Sequence, residues 1–173
     1  MTHQPTPGSV FGDYQLTRKL GFERSRDIWV AEHTTDGDES VLKIPRRDAS
    51  RDEAVELAIQ FLETVRKAGG HPNLPTLRET IASGDDVIPV IDRVGGDRLN
   101  DVVEEESGLS AEQVRSIGID LCDAMSFLHR HEVSYYYLTP ESVRLDSDRT
   151  PRIVSFYAAA EQASSAGSTR EHD

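Results

Sequence analysis

The stretch from Val133 to Tyr157 reads VSYYYLTPESVRLDSDRTPRIVSFY and contains two short runs of alternating side chains. Within it, Val143-Arg144-Leu145 and Pro151-Arg152-Ile153 each alternate apolar and polar side chains, and Val154 follows the second run. This period of two is typical of half-buried strands. The residues between them, DSDRT, are rich in turn formers. We therefore predict a β-hairpin that directly follows the segment Leu138-Thr139-Pro140-Glu141-Ser142.

Two capping boxes, each followed by helical periodicity, lie upstream of this hairpin. Ser50 stands three residues before Glu53, and Ser110 stands three residues before Gln113. The apolar positions that follow are Val55, Ala58, Leu62 and Val65 in the first segment, and Val114, Ile117, Leu121, Met125 and Leu128 in the second. This spacing predicts one helix that ends at Ala68, before two glycines, and another that ends at His131.

The N-terminal half predicts strands. The pattern becomes strand-like at Val10, and Asp36-Gly37 is a hairpin turn signal that precedes a strand over Ser40–Ile44. Residues 74–82 and 87–94 predict two more strands. Because proline cannot donate a ladder hydrogen bond, Pro89 favours an edge position for the second of them.

This succession of elements and motifs resembles the eukaryotic-like protein kinases. That family has four motifs in a fixed order: a glycine-rich loop, a strand that bears a lysine, an HRDLKPEN-type catalytic loop and a DFG motif. Gly21 keeps the first glycine position, Glu23 and Arg26 occupy the second and third, and Lys43 matches the lysine. Leu138-Thr139-Pro140-Glu141 aligns with the catalytic loop. The resemblance implies a protein kinase-like fold of the α+β class, with a five-stranded antiparallel N-lobe sheet, one helix, and a partial helical C-lobe.

The positions that carry catalysis in the family hold other residues here. By the resemblance, Tyr137 stands for the catalytic Asp, Ser142 for the Asn and Ser155 for the DFG Asp. Phosphoryl transfer needs Mg²⁺ held by Asp and Asn, and an Asp that orients the acceptor hydroxyl. Hydroxyl groups are poor ligands for a hard divalent cation compared with carboxylates. We therefore predict that these positions are degenerate, with no catalytic residue and no metal site.

A nucleotide cleft is also implied by the resemblance. In the family the lysine contacts the nucleotide phosphates and pairs with a helix glutamate. Glu63 is the nearest candidate for that glutamate and Glu56 the next, and the choice stays open. The candidate cleft residues are Gly21, Ile28, Val41, Lys43, Glu63, Asp92 and Val94. Arg144 replaces an apolar residue below the adenine, which disfavours nucleotide binding. We expect no cofactor and no Mg²⁺, and leave ATP open.

The domain organisation follows from the same match. We assign residues 1–9 to a disordered leader, 10–95 to a kinase-like N-lobe and hinge, 96–157 to a partial C-lobe with a degenerate catalytic loop, and 158–173 to a disordered tail. The activation segment and the later C-lobe helices of the family find no counterpart in this sequence.

Composition excludes several function classes. The net charge of −12 repels nucleic acid phosphates, so we expect no nucleic acid partner. Neither an apolar run long enough to span a membrane nor a signal segment is present, which predicts a cytoplasmic protein without a membrane partner. Cys122, the single cysteine, is predicted to be a small core residue. His129 and His131 are predicted to interact with a helix C-terminus rather than with a metal.

Two functions compete. The first is a pseudokinase-like module, shortened after the DFG position, that regulates a protein partner; the partner would be another kinase or a second copy, covering apolar surface on the second helix. The second is an ATP-binding serine/threonine kinase with an atypical active site that transfers the γ-phosphoryl group to protein. A fragment of a longer protein is the third alternative.

Overall fold

The computed structural model describes residues 4–23, 25–46, 53–105, 108–133, 135 and 138–154, with only the backbone for 53 and 54. The predictions about the Ser50 cap, Tyr137, Ser155 and the tail lie outside these residues. The chain divides into two units: Met1–Asp52 with Leu77–Arg93, and Glu53–Thr76 with Val94–Asp173.

The first unit is a six-stranded antiparallel sheet in the order β1-β2-β3-β4-β6-β5. Its strands are β1 (Val10–Phe11), β2 (Tyr14–Glu23), β3 (Arg26–His33), β4 (Glu39–Pro45), β5 (Leu77–Ser83) and β6 (Asp86–Asp92). The α+β kinase-like class is confirmed, but the prediction of five strands is wrong.

The additional strand is β1, which is only two residues long and therefore too short to show a periodic pattern. It pairs Phe11 with Tyr14 across a turn that contains Gly12 at φ 55°. The backbone N–H of Gly8 also donates to the carbonyl of Leu16 at 2.7 Å, so ordered structure begins before the predicted leader ends.

The pleat of the sheet separates an apolar face from a face that bears the candidate site. One face buries the cluster Tyr14, Leu16, Trp29, Ala31, Leu42, Ile44, Ile88 and Val90. Since side chains alternate along a strand, Ile28 on β3 and both Val41 and Lys43 on β4 belong to the opposite face. This is where the sequence places the nucleotide cleft.

The edge position predicted from Pro89 is wrong, because β6 lies between β4 and β5. The ladder with β4 pairs Leu42 with Val90 and stops there, one residue before Pro89. On the other side, Pro89 is paired with Thr80 of β5. Proline is tolerated inside the sheet because the pairing on one side ends next to it.

The second unit combines helices with a small sheet in the order β7-β8-β9. Its elements are α1 (Glu53–Lys67), β7 (Asp97–Arg98), α2 (Leu99–Glu105), α3 (Ala111–Arg130), a 3₁₀ helix (Pro140–Ser142), β8 (Val143–Leu145) and β9 (Pro151–Ile153). The predicted hairpin is confirmed, with the outer residues of β8 and β9 buried and Arg144 and Arg152 half-buried. Two glycines with positive φ, Gly69 and Gly70, follow α1 as predicted.

The capping box of α3 is confirmed. The Ser110 hydroxyl accepts from the backbone N–H of Gln113 at 3.2 Å, and the Gln113 side chain accepts from the backbone N–H of Ser110 at 2.8 Å. Leu109 packs against a cluster of Val102, Ile117 and Leu145.

One side of α3 remains exposed. Its buried residues are Ile117, Ala124, Phe127 and Leu128. Val114 and Ile119 are each 55% exposed, and Cys122 is an exposed free thiol. The prediction of Cys122 as a core residue is therefore wrong, because helical periodicity alone did not distinguish the covered side from the uncovered one. Within the described residues, no helix is long and apolar enough to cross a membrane.

Candidate functional site

The candidate cleft residues of the first unit form a row across three strands. Gly21 of β2 is paired with Ile28 of β3, which in turn is paired with Lys43 of β4. Gly21 has φ 152°, a conformation that side-chain-bearing residues rarely adopt. Val41 is two residues from Lys43 and shares its face. The structure thus brings together four of the residues predicted for the nucleotide cleft.

Lys43 is buried, with 7% of its surface exposed, and its ammonium is engaged within this unit. Its Nζ donates to Glu23 Oε2 at 2.9 Å. Burial lowers the pKa of Lys43, and the Glu23 carboxylate opposes that shift. The sequence placed Glu23 only at the second glycine position and did not indicate a partner for it. The signal that could have revealed the pair is the spacing, because Glu23 lies two residues beyond Gly21 and so on the Lys43 side of the sheet.

Arg26, at the third glycine position, is 3% exposed and binds the backbone of two strands. Its Nη1 donates to the carbonyl of Lys43 at 3.0 Å and also to that of Val87, and its Nη2 pairs with Asp86. Extending the β4–β6 register by one residue places Lys43 opposite Pro89, which has no N–H. The guanidinium therefore supplies the donor that the proline lacks.

The remaining predicted cleft residues are Asp92 at the end of β6, Val94 two residues later, and Glu63 on α1. Asp92, at the end of β6, accepts a charge-assisted hydrogen bond from Arg78, and this bond raises the pKa of Arg78. Val94 belongs to the second unit and is half-buried. Glu63 also belongs to the second unit, and its carboxylate is 3.9 Å from Lys67 on the same helix.

Ser142, the predicted replacement for the metal-binding Asn, is buried and hydrogen-bonded to the neighbouring backbone. Its hydroxyl donates to the carbonyl of Thr139 at 2.8 Å and accepts from the backbone N–H of Thr139 at 3.1 Å. The carbonyl of Ser142 accepts from Val154 at 2.8 Å. Ser142 therefore fixes the turn between the catalytic-loop segment and the hairpin.

Glu141, which matches the family motif, lies at the start of the 3₁₀ helix. Hydrogen bonds from its own backbone N–H and from the Thr139 hydroxyl lower the pKa of its carboxyl. Tyr135, which precedes the catalytic-loop segment in the sequence, is buried.

The segment His71-Pro72-Asn73, which follows α1 in the sequence, forms hydrogen bonds with β9. The amide of Asn73 donates to the carbonyl of Pro151 at 2.8 Å, and the carbonyl of Asn73 accepts from Ile153 at 2.9 Å. Arg152 donates to the carbonyl of Pro72 at 2.7 Å. This segment therefore fixes the strand that leads to the DFG-equivalent residues.

Arg144 of β8 forms a hydrogen bond with the residue that precedes β7. Its Nη1 donates to the carbonyl of Gly96 at 2.6 Å. Gly96 has φ 86°, and a Cβ on it would overlap the carbonyl oxygen of Leu145. The small sheet thus needs a glycine at this position.

The fold and these motifs define a protein kinase domain, and comparison with known proteins agrees. The protein kinase domain family matches residues 14–171, so the chain belongs to that family. It is 28% identical over 153 residues to the carbon catabolite-derepressing protein kinase of Saccharomyces cerevisiae, covering 86% of this chain and 23% of that protein. It is 31% identical to sucrose non-fermenting protein kinase 1 of Fusarium virguliforme, covering 84% of this chain and 21% of that one.

A plant relative is similar over a comparable length. The chain is 27% identical to CBL-interacting serine/threonine-protein kinase 9 of Arabidopsis thaliana, covering 90% of this chain and 35% of that protein. The chain thus spans about a fifth to a third of the length of these relatives.

Proposed function

We propose that this protein kinase domain is a pseudokinase, which keeps the fold but does not transfer phosphate and acts through contact with a protein partner. The observation that carries the proposal is the state of Ser142. Its hydroxyl donates a hydrogen bond to the carbonyl of Thr139 and accepts one from the backbone N–H of the same residue. A kinase needs an Asn side chain here to hold Mg²⁺.

The sequence supports the same conclusion at two further positions. Tyr137 stands where the acceptor-orienting Asp is needed, and a tyrosine titrates near pH 10, so it is not a base near pH 7. Ser155 replaces the other metal-binding Asp. Loss of one group could be compensated by a neighbour, whereas these three replacements remove both metal ligands and the base of the family's motifs.

The partner surface we propose is the exposed side of α3. Val114, Ile119 and Cys122 lie there in contact with solvent. Exposed apolar side chains grouped on one helix are typical of interaction sites. Another kinase or a second copy of this chain would cover them. A cytoplasmic location is part of this proposal.

An assay for phosphate transfer tests the proposal. Purified wild-type protein is incubated with γ-labelled ATP, Mg²⁺ and a mixed protein substrate, beside Lys43→Met as the background control. We expect equal incorporation in both samples. Incorporation that exceeds the background and depends on Lys43 would mean that the chain is a kinase.

The second candidate is an ATP-binding serine/threonine kinase with an atypical active site. One observation favours it: Gly21, Ile28 and Lys43 lie side by side on β2, β3 and β4. These are residues that the family resemblance places around a nucleotide. The assay above separates the two candidates.

A further inference from the structure

Two side chains that replace glycines of the phosphate loop bind Lys43. Glu23 holds the Lys43 ammonium at 2.9 Å, and Arg26 holds the Lys43 carbonyl at 3.0 Å. In ATP-binding members of the family this lysine contacts the nucleotide phosphates. Here the ammonium already has an anionic partner from its own chain.

We propose that the Glu23 carboxylate lies beside the Lys43 ammonium where a phosphate oxygen of a nucleotide would otherwise bind. Glu23 is then the specificity-determining residue, because it prevents nucleotide phosphates from binding to Lys43. The inference rests on the proposed function, because it explains how a pseudokinase keeps the lysine without a nucleotide.

Charge and burial carry the argument. Lys43 is 7% exposed, and a buried ammonium needs an anion beside it. Glu23 provides that anion from a side chain that is 30% exposed. A triphosphate would have to displace the carboxylate or lie beside it, and like charges at such short range repel strongly.

Arg26 limits how far Glu23 can withdraw. Glu23 and Arg26 are paired at the end of the β2–β3 ladder. The Arg26 guanidinium is buried against β4 and β6, where it binds the carbonyls of Lys43 and Val87. The end of the hairpin is therefore fastened to the strand that bears Lys43.

The test is a calorimetric titration of the full chain with inorganic triphosphate, without metal. Glu23→Gln keeps the size of the side chain and removes its charge, while Glu32→Gln makes the same charge change at an exposed position of β3. We expect Glu23→Gln to bind triphosphate at least about tenfold more tightly than wild type. Glu32→Gln should match wild type, and adding Lys43→Met should abolish the gain.

Equal affinity of wild type and Glu23→Gln would overturn the inference, as would a gain that survives Lys43→Met. A measurement on the wild type alone covers the case in which Glu23→Gln fails to fold. Thermal unfolding with triphosphate, against sulfate at matched ionic strength, should show no specific shift. A saturable shift specific to triphosphate would overturn the inference.

These outcomes are separable from the failure of the proposed function. Lys43-dependent phosphate transfer by the wild type removes the pseudokinase proposal whatever the titration gives. An inactive wild type whose Glu23→Gln variant gains no affinity removes only the role of Glu23.

Discussion

At the scale of single residues, Gly96 shows a backbone position that no other residue fits. Its φ of 86° is strained for a residue with a Cβ, and the Cβ would overlap the Leu145 carbonyl. We predict that Gly96→Ala lowers the free energy of unfolding by at least about 2 kcal/mol. Denaturant unfolding monitored by circular dichroism measures it.

The matched control for this substitution is the neighbouring glycine. A Cβ on Gly95 meets no atom within 4 Å among the described residues. Gly95→Ala should therefore change the free energy of unfolding by no more than about 0.5 kcal/mol. Equal losses for the two variants would contradict the strain assigned to Gly96.

The lowered pKa of Lys43 makes the free energy of unfolding depend on pH, and the direction of that dependence can be stated. Burial lowers its pKa below the ordinary value of 10.5, so between the folded pKa and 10.5 the unfolded chain binds more protons than the folded one. Stability contributed by this residue must rise with pH across that window. Relative to Lys43→Met, the wild type should gain free energy of unfolding as pH increases toward 10.5.

The measurement is the difference in free energy of unfolding between the two proteins at several alkaline pH values. Tyr14, whose pKa is raised by burial, is present in both and cancels. Lys19→Met is the control, since Lys19 is a half-exposed lysine paired with Asp27 on the same sheet. A difference that is flat or falls with pH would be inconsistent with a buried ammonium.

Residue roles were the least predictable part of the site. The sequence marked Glu23 and Arg26 as departures from glycine, but their partners depend on strand register, which places both beside Lys43. The sequence singled out Ser142 as the residue at the family's Asn position. Its hydrogen bonds to Thr139 follow from the 3₁₀ turn and could not be derived from residue type alone.

At the scale of elements, β6 keeps a proline in the sheet interior with the help of Arg26. Arg26→Met would leave the carbonyls of Lys43 and Val87 without the hydrogen bonds that Arg26 donates. We predict that the free energy of unfolding falls by about 1–3 kcal/mol for each of these carbonyls. Pro89→Ala restores a backbone donor opposite Lys43. The double variant should therefore lose less than the sum of the single losses, by at least about 0.5 kcal/mol.

A double-mutant cycle measured by urea unfolding tests this coupling. Arg93→Met is the control arginine on the same unit, where the side chain makes a partly exposed pair with Glu39. It should cost no more than about 1 kcal/mol and show no coupling to Pro89. Strict additivity of Arg26→Met and Pro89→Ala would refute the compensation.

The elements differ in how well local sequence predicts them. The β8–β9 hairpin was predicted because its alternation of side chains is set by its own pleat. The capping box of α3 was likewise read from residues three apart. β1 and the interior position of β6 were missed, because both depend on pairing with distant segments.

At the scale of the whole molecule, the family was predictable from the order of the motifs, whereas the covered sides of its helices were not. We predict that the exposed side of α3 supports self-association, so the apparent mass should rise with concentration. Ile119→Glu places a charge among exposed apolar side chains and should shift the protein to monomer. Light scattering coupled to size exclusion measures the mass.

Ser116→Glu provides the control, because it introduces the same charge at an exposed position of α3 outside the apolar group. It should leave self-association unchanged. A wild type that stays monomeric at all concentrations, or a Ser116→Glu variant that dissociates equally, would exclude a second copy as the partner on this face.

We propose that the kinase fold persists in this chain while its site binds no metal-bound nucleotide. Thermal unfolding with excess ATP, measured with and without Mg²⁺, is the sharpest test of that proposal. Bound ligand at a hundred times its dissociation constant would add about 2.7 kcal/mol to stability. We expect no Mg²⁺-dependent rise in the unfolding temperature. A Mg²⁺-dependent rise that disappears in Lys43→Ala would contradict it.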